Sequence, residues 1–111
     1  MTLTQLSDQV SVCGQITAAD VAEFAAQGFE TVICNRPDGE SFDQTPWAEI
    51  EAACKEHGLA AHYIPMSPAG LTGTEIPAFA DVLKGAEGKV LAYCRTGNRS
   101  SILWQQAVNI A

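Results

Sequence analysis

Short apolar runs alternate along this chain with stretches that carry helix caps and glycine stops. The apolar runs predict four strands, at residues 9–13, 29–34, 59–66 and 89–93. The stretches between and after them predict four helices, over residues 17–28, 45–58, 72–84 and 100–110. This alternation is typical of an α/β fold with a largely parallel sheet.

We therefore predict one three-layer α/β domain over residues 1–111, with a mostly parallel sheet of four or five strands flanked by helices. In such sheets, ligands bind beyond the carboxyl ends of the strands. Three loops leave predicted strand ends, at residues 35–44, 65–74 and 94–99. We expect the functional site among these loops.

Composition narrows the class of protein. The 111 residues are 47% hydrophobic and 17% charged, as in a globular domain. The net charge of −7 argues against nucleic-acid partners, because their phosphates would be repelled. No apolar run approaches the roughly 20 residues of a membrane helix, and no basic, apolar leader opens the chain. We expect a cytoplasmic protein without nucleic-acid or membrane partners.

The four cysteines fit neither a disulfide framework nor a zinc pattern: Cys13, Cys34, Cys54 and Cys94. No two of them form a Cys-x2-Cys pair, and the chain has only 2 histidines. We therefore expect reduced thiols, no metal and no organic cofactor.

The most informative segment begins where the fourth predicted strand ends and a helix follows at once. It reads Cys94-Arg95-Thr96-Gly97-Asn98-Arg99-Ser100. Glycine permits a positive φ, so that successive loop amides and the helix N-terminus can surround an anion. Such a field lowers the pKa of a thiol, which makes Cys94 a candidate nucleophile. The alternative is an inert, buried cysteine before an ordinary capped helix, which leaves the glycine and the arginines unexplained.

Each position of this loop has a predicted role. Arg99 closes the ring of amides with a bidentate guanidinium, and Arg95 recruits an anion from solvent. Ser100 either hydrogen-bonds the thiolate or caps the helix. The remaining positions contribute anion-binding backbone: Thr96, Gly97 and Asn98.

The loop resembles those of two enzyme families. Cysteine phosphatases carry Cys-x5-Arg and rhodanese sulfurtransferases carry Cys-x4-Arg, and here four residues separate Cys94 from Arg99. By that resemblance, the shorter loop suits a sulfane sulfur on the cysteine, and the longer loop suits a tetrahedral phosphate.

Nearly the whole chain resembles the phosphatase-like domain family of beta-lactamase-hydrolase-like proteins. The resemblance rests on four segments in order: Gly14-Gln15, Val32 to Glu40, His62 to Pro65 and Tyr93 to Trp104. It implies a dual-specificity-phosphatase-like fold with a rhodanese-type loop; a rhodanese-like fold is the alternative. It also implies a functional link to sulfide oxidation and persulfide dioxygenases.

Two departures from the phosphatase pattern favour sulfur chemistry. Residues 65–73 contain no carboxylate where dual-specificity phosphatases carry their general acid, and Tyr93 replaces the histidine that usually precedes the cysteine. Sulfur transfer needs no acid, because a thiolate or sulfite leaves without a proton. We therefore predict a rhodanese-type sulfurtransferase. It would move sulfur from thiosulfate or glutathione persulfide through a Cys94 persulfide to a thiol, sulfite or cyanide.

Two other functions remain open. The first is a cysteine-dependent phosphatase with a phosphocysteine intermediate, for which Asp38 or Glu40 would supply the acid. The second is a non-catalytic domain that binds a persulfide or an anion for a partner enzyme.

Three residues before the Cys94 loop are further candidates. Arg36 and Asp38 follow a predicted strand end and would line the pocket; a tight Pro-Asp-Gly turn with an internal ion pair is the alternative. Cys34 ends an apolar strand and would resolve a persulfide as a disulfide, unless it is simply a core residue. Cys13 has the same two interpretations, with weaker support.

Overall fold

Five strands and four helices alternate along residues 2–111, which the structure, a computed structural model, describes. In chain order they are β1 (Thr4–Gln5), β2 (Val10–Cys13), α1 (Ala18–Ala26), β3 (Phe29–Cys34), α2 (Trp47–Glu56), β4 (Ala60–Tyr63), α3 (Glu75–Gly85), β5 (Lys89–Tyr93) and α4 (Asn98–Ala107). All predicted elements are present. β1 has no counterpart among the predictions, because two residues that depend on antiparallel pairing with β2 carry no periodic pattern.

The strands form one sheet in the order β1-β2-β5-β3-β4, in which only β1 runs antiparallel. β5 lies between β2 and β3, and its last residue, Tyr93, is in register with Cys13 and Cys34. The loop after β5 therefore leaves the middle of the carboxyl edge. This is the position where parallel sheets bind their ligands.

Helices cover both faces of the sheet and divide the core into two clusters. α1 and α2 pack on one face through residues such as Phe24 and Ile50. α3 and α4 pack on the other through residues such as Phe79 and Leu103. Alternate side chains of β5 belong to the two clusters, as the period of a strand requires. The predicted three-layer α/β domain is therefore confirmed.

Local sequence signals set the ends of the helices. The Thr17 N–H donates to Asp20 Oδ2 across 2.8 Å and the Thr17 side chain accepts from the Asp20 N–H, which completes a capping box before α1. α4 begins two residues earlier than predicted, because Gly97 turns the chain directly into the helix.

The longest helix, α3, has 11 residues, and within residues 2–111 no helix is long and apolar enough to cross a membrane.

Candidate active site

Cys94 directly follows β5 and is enclosed by the loop that leads into α4, with 1% of its surface exposed. Gly97 has a φ of 95°, a left-handed conformation that a β-carbon disfavours. Its N–H donates to Cys94 Sγ across 3.0 Å. The loop therefore folds back so that backbone amides face the sulfur.

These amides set the pKa of the Cys94 thiol. Burial of the sulfur acts to raise that pKa, but hydrogen bonds from the amides of Ser100, Thr96, Gly97 and Arg99 outweigh it and lower the pKa below its ordinary value. The loop thus stabilises the thiolate of Cys94 relative to its thiol, and the thiolate is the form in which cysteine acts as a nucleophile.

Arg99 projects from the first turn of α4 and is held by two other loops. Its Nη1 donates to Glu40 Oε2 and to the Met66 carbonyl, both across 2.7 Å, and its Nη2 donates to Glu40 Oε1 across 2.8 Å. Arg36 joins the same carboxylate, donating from Nε to Glu40 Oε1 and from Nη1 to Gln15 Oε1, both across 3.0 Å. One carboxylate therefore connects the loops that surround Cys94.

Glu40 is held in its ionised form. Its hydrogen bond from Arg99, supported by that from Arg36, outweighs partial burial and lowers the pKa of the carboxyl group. A carboxyl group with a lowered pKa has no proton to donate at neutral pH. Glu40 therefore does not suit the general-acid role considered for it.

Ser100 supports the loop differently from what its position predicts. Its backbone N–H contributes to the lowered pKa of Cys94, but its hydroxyl donates to Asn35 Oδ1 across 2.9 Å, in place of the thiolate. It does not cap α4 either, because Gly97 occupies the N-cap position. Asn35 is fully buried. Sequence reasoning missed it, because a polar residue that opens a loop carries no sign of burial.

The backbone of the Cys94 loop also packs against the end of β2. A β-carbon on Gly14 would lie 2.8 Å from the carbonyl oxygen of Arg95. The N–H of Gln15 donates to that same oxygen across 3.3 Å. Gly14 thus permits a close backbone contact that no other residue would allow without moving the loop.

Three loops line an open pocket of about 910 Å³ around Arg99. Its lining residues are Arg36, Pro37, Glu40, Ser41, Ser67, Pro68, Arg95, Thr96, Asn98 and Arg99. Three arginines against one carboxylate give this pocket a positive character in a protein of net charge −7. Five of the residues predicted to form the site thus line one pocket: Arg36, Arg95, Thr96, Asn98 and Arg99. Cys94 is buried within the loop that borders it.

Asp38 lies outside this pocket, which corrects its prediction. It is exposed, and its Oδ1 accepts from the N–H of Trp47, the first residue of α2, across 2.9 Å. Proline at the N-cap position has no side chain that could cap the helix, so Asp38 does so from the preceding loop. The ion pair within this turn joins Arg36 to Glu40 instead.

The other candidate cysteines lie in the core below the loop. Cys34 donates its thiol proton to the Arg36 carbonyl across 3.2 Å, and burial raises its pKa. Its partners in the sheet register are Tyr93 and Tyr63. Burial also raises the pKa of Cys13 to about 12. Both residues belong to the hydrophobic cluster that packs against α1 and α2, so the geometry favours the core interpretation over a resolving role.

Comparison with known protein sequences identifies one family. The sequence profile of the family described as beta-lactamase hydrolase-like protein, phosphatase-like domain, matches residues 2–111. A beta-lactamase hydrolase-like protein of Agrobacterium fabrum is 33% identical over 104 residues, which are 94% of this chain and 24% of that protein. The chain thus spans about a quarter of the length of the curated relatives it matches.

Solved structures place the fold among those of cysteine phosphatases. A candidate phosphatase of Neisseria meningitidis has a TM-score of 0.85 and 33% identity, over 100% of this chain and 80% of its own. P. aeruginosa TpbA, solved in complex with pTyr, has a TM-score of 0.66 over 91% of this chain and 58% of its own. Its identity of 19% shows the fold alone. The phosphatase-like form of the fold prediction is therefore confirmed, rather than the rhodanese-like one.

Proposed function

The chain belongs to the phosphatase-like domain family of beta-lactamase hydrolase-like proteins, and from that premise we propose that it is a cysteine-dependent phosphatase for aryl phosphate monoesters. One observation carries the proposal: the Gly97 N–H donates to Cys94 Sγ across 3.0 Å in a loop whose amides lower the pKa of this thiol, with Arg99 in the first turn of the helix that follows. A thiolate nucleophile beside a fixed cation is what phosphoryl transfer through cysteine requires.

The reaction has two steps. The Cys94 thiolate attacks phosphorus, so that an S–P bond forms while the P–O bond to the leaving group breaks. Arg99 and Arg95 offset the charge on the transferred phosphoryl oxygens. Water then attacks the phosphocysteine and gives up its proton to phosphate or solvent. The S–P bond breaks, and the loop amides stabilise the thiolate that returns.

The absence of a protonated acid in the described part of the pocket favours aryl esters. Its lining carboxylate, Glu40, is held ionised, and Asp38 caps α2. The leaving oxygen therefore departs as an anion. Phenols, with a pKa near 10 as in tyrosine, leave in this form far more readily than aliphatic alcohols. The phosphotyrosine bound by TpbA is an ester of this kind.

Phosphate release from aryl phosphates of graded phenol acidity tests the proposal. kcat/KM should increase as the phenol becomes more acidic, and Cys94→Ser should abolish turnover. An alkyl phosphate is the matched comparison, because it shares the phosphoryl group but has a poor leaving group. Equal rates for alkyl and aryl esters would contradict a mechanism without a general acid.

The predicted sulfurtransferase is a second candidate, favoured by the four-residue spacing between Cys94 and Arg99. The thiolate would attack the outer sulfur of thiosulfate, forming an S–S bond, and sulfite would leave with its electron pair and without a proton. A thiol or cyanide would then take the sulfur from Cys94. Glutathione persulfide is the other donor of this class, and a persulfide dioxygenase would be a fitting partner.

Two measurements distinguish these candidates. Thiocyanate production from thiosulfate and cyanide, absent in Cys94→Ser, would favour the sulfurtransferase. A single labelling of Cys94 by donor, without turnover of phosphate or sulfur, would favour the non-catalytic binding domain instead.

A further inference from the structure

Arg99 has five N–H donors in a planar guanidinium, and three of them donate to oxygen atoms of the protein. Both donors of Nη1 are used, one by Glu40 Oε2 and one by the Met66 carbonyl, and one donor of Nη2 is used by Glu40 Oε1. The remaining donors are Nε–H and the second N–H of Nη2. They lie on one edge of the plane and point in parallel, the arrangement that binds two oxygens of an oxyanion.

The Glu40 carboxylate is itself held in place by a second arginine, Arg36. Arg36 Nε donates to its Oε1, and Arg36 is fixed in turn by Gln15. The loop is anchored beside this pair, where the Asp38 N–H donates to the Tyr63 hydroxyl across 2.9 Å. The Arg36 and Glu40 side chains are 6% and 17% exposed, which leaves them little rotational freedom.

We propose that Glu40 is a positioning residue: it holds the Nη1–Nη2 end of Arg99 so that the Nε–Nη2 edge faces the substrate oxyanion at Cys94. Contact with Glu40, and then with the Cys94 sulfur, raises the pKa of the guanidinium, which thus spans carboxylate and nucleophile. The proposal rests on the proposed function only in taking the Cys94 pocket as the site. It holds for any oxyanion that binds there.

The contact between Glu40 and Arg99 also has the opposite interpretation, in which the carboxylate occupies the anion position and must leave before substrate binds. The donor count argues against it, because the end of Arg99 that Glu40 covers is not the edge that remains free. Removing the carboxylate should weaken anion binding if Glu40 positions Arg99, and strengthen it if Glu40 blocks the site. Removal of a negative charge would by itself strengthen binding, so weaker binding is diagnostic.

The experiment measures how well inorganic sulfate protects Cys94 from alkylation by iodoacetamide at constant ionic strength. Protection is the ratio of the alkylation rates without and with sulfate, measured on the same protein. A variant's altered thiol pKa affects both rates equally and does not change this ratio, and the measurement needs no turnover. In Glu40→Gln, an amide N–H replaces one acceptor oxygen and faces an N–H of Arg99, so the bidentate contact is lost. We therefore expect the sulfate concentration that gives half-protection to increase about tenfold. Glu40→Asp keeps the charge but is one methylene too short, and should show most of this increase.

Glu49→Gln is the matched control, because it removes the same charge from an exposed position on α2 outside the pocket. It should equal the wild type. If Glu40→Gln does not fold, as judged by circular dichroism, Glu40→Asp and Arg36→Lys carry the test, and both should weaken protection.

Stronger protection in Glu40→Gln, unchanged protection in the folded Glu40 variants, or no protection of the wild type would each overturn the proposal. Failure of the phosphatase function is seen separately, as a wild-type protein that sulfate protects but that releases no phosphate from aryl esters.

Discussion

The Ser100 hydroxyl donates to Asn35 Oδ1 across 2.9 Å, and this bond joins the first turn of α4 to the residue after β3. Asn35 also donates from Nδ2 to the Ile64 carbonyl across 2.8 Å and from its backbone N–H to the Tyr93 carbonyl across 2.7 Å. Asn35 and Ser100 are both 0% exposed. One buried amide thus connects the carboxyl ends of β3, β4 and β5 where the Cys94 loop begins.

Asn35→Ala should destabilise the protein strongly, because it leaves the Ser100 hydroxyl and the Ile64 carbonyl buried without partners. We expect the free energy of unfolding in urea to fall by about 2–4 kcal/mol. Ser100→Ala removes the same hydrogen bond from its other side, so the double variant should lose less than the sum of the two. Strictly additive losses would show that the two side chains are not coupled.

Gly14→Ala should displace the Cys94 loop, because its β-carbon would meet the Arg95 carbonyl oxygen at 2.8 Å. We expect a loss of about 1–3 kcal/mol in stability and a fall in kcat/KM for an aryl phosphate. Gly85→Ala is the matched control: it has no atom within 4 Å of the new β-carbon and should be stabilising by about 0.4–1 kcal/mol. Equal behaviour of the two variants would contradict the importance of this backbone contact.

Cys94 should react with iodoacetamide before the other three cysteines. Loop amides lower its pKa despite burial, whereas burial raises the pKa of Cys13 to about 12, that of Cys54 to about 11, and that of Cys34 as well. A thiol with a lowered pKa loses its proton at a lower pH. The alkylation rate of Cys94 should therefore reach half its maximum at a lower pH than the rate of an ordinary thiol does. Peptide mass spectrometry of protein alkylated at neutral pH identifies the site. Modification of Cys34 or Cys13 first would contradict this assignment.

Asp38→Ala should affect stability and not catalysis, because its carboxylate caps α2 from outside the pocket. The expected loss is about 1 kcal/mol in thermal or urea unfolding, and Asp38→Asn, which keeps the acceptor oxygen, should recover most of it. Neither variant should change the pH dependence of kcat/KM. Loss of the limb at higher pH in Asp38→Asn would restore Asp38 as the general acid.

The sequence was sufficient for features that local pattern controls. The alternation of elements, the capping box at Thr17 and the Cys94 loop before α4 all follow from residue types a few positions apart. Features that depend on distant pairing could not be predicted. β1 exists only against β2, and Glu40 meets Arg99 across 59 positions of the chain.

Polar residues on loops were the main source of error, because the sequence does not show which partner each will find. Asp38 and Glu40 lie two positions apart in one loop, yet the first caps a helix and the second binds two arginines. The function prediction had a related weakness. The sulfurtransferase prediction was based on the length of one loop and on the lack of a carboxylate in another. The comparisons over the whole chain identify phosphatase-like proteins instead.

The central claim is that Cys94 carries the phosphoryl group. Its most direct test is mass spectrometry of protein quenched rapidly in denaturant during turnover of an aryl phosphate, beside Cys94→Ser and a parallel incubation with thiosulfate. We expect one phosphoryl group on Cys94 of the wild type, none on the variant, and no stable sulfur adduct. A single sulfur on Cys94 that a thiol discharges, with no phosphoryl adduct, would contradict the account and establish the sulfurtransferase in its place.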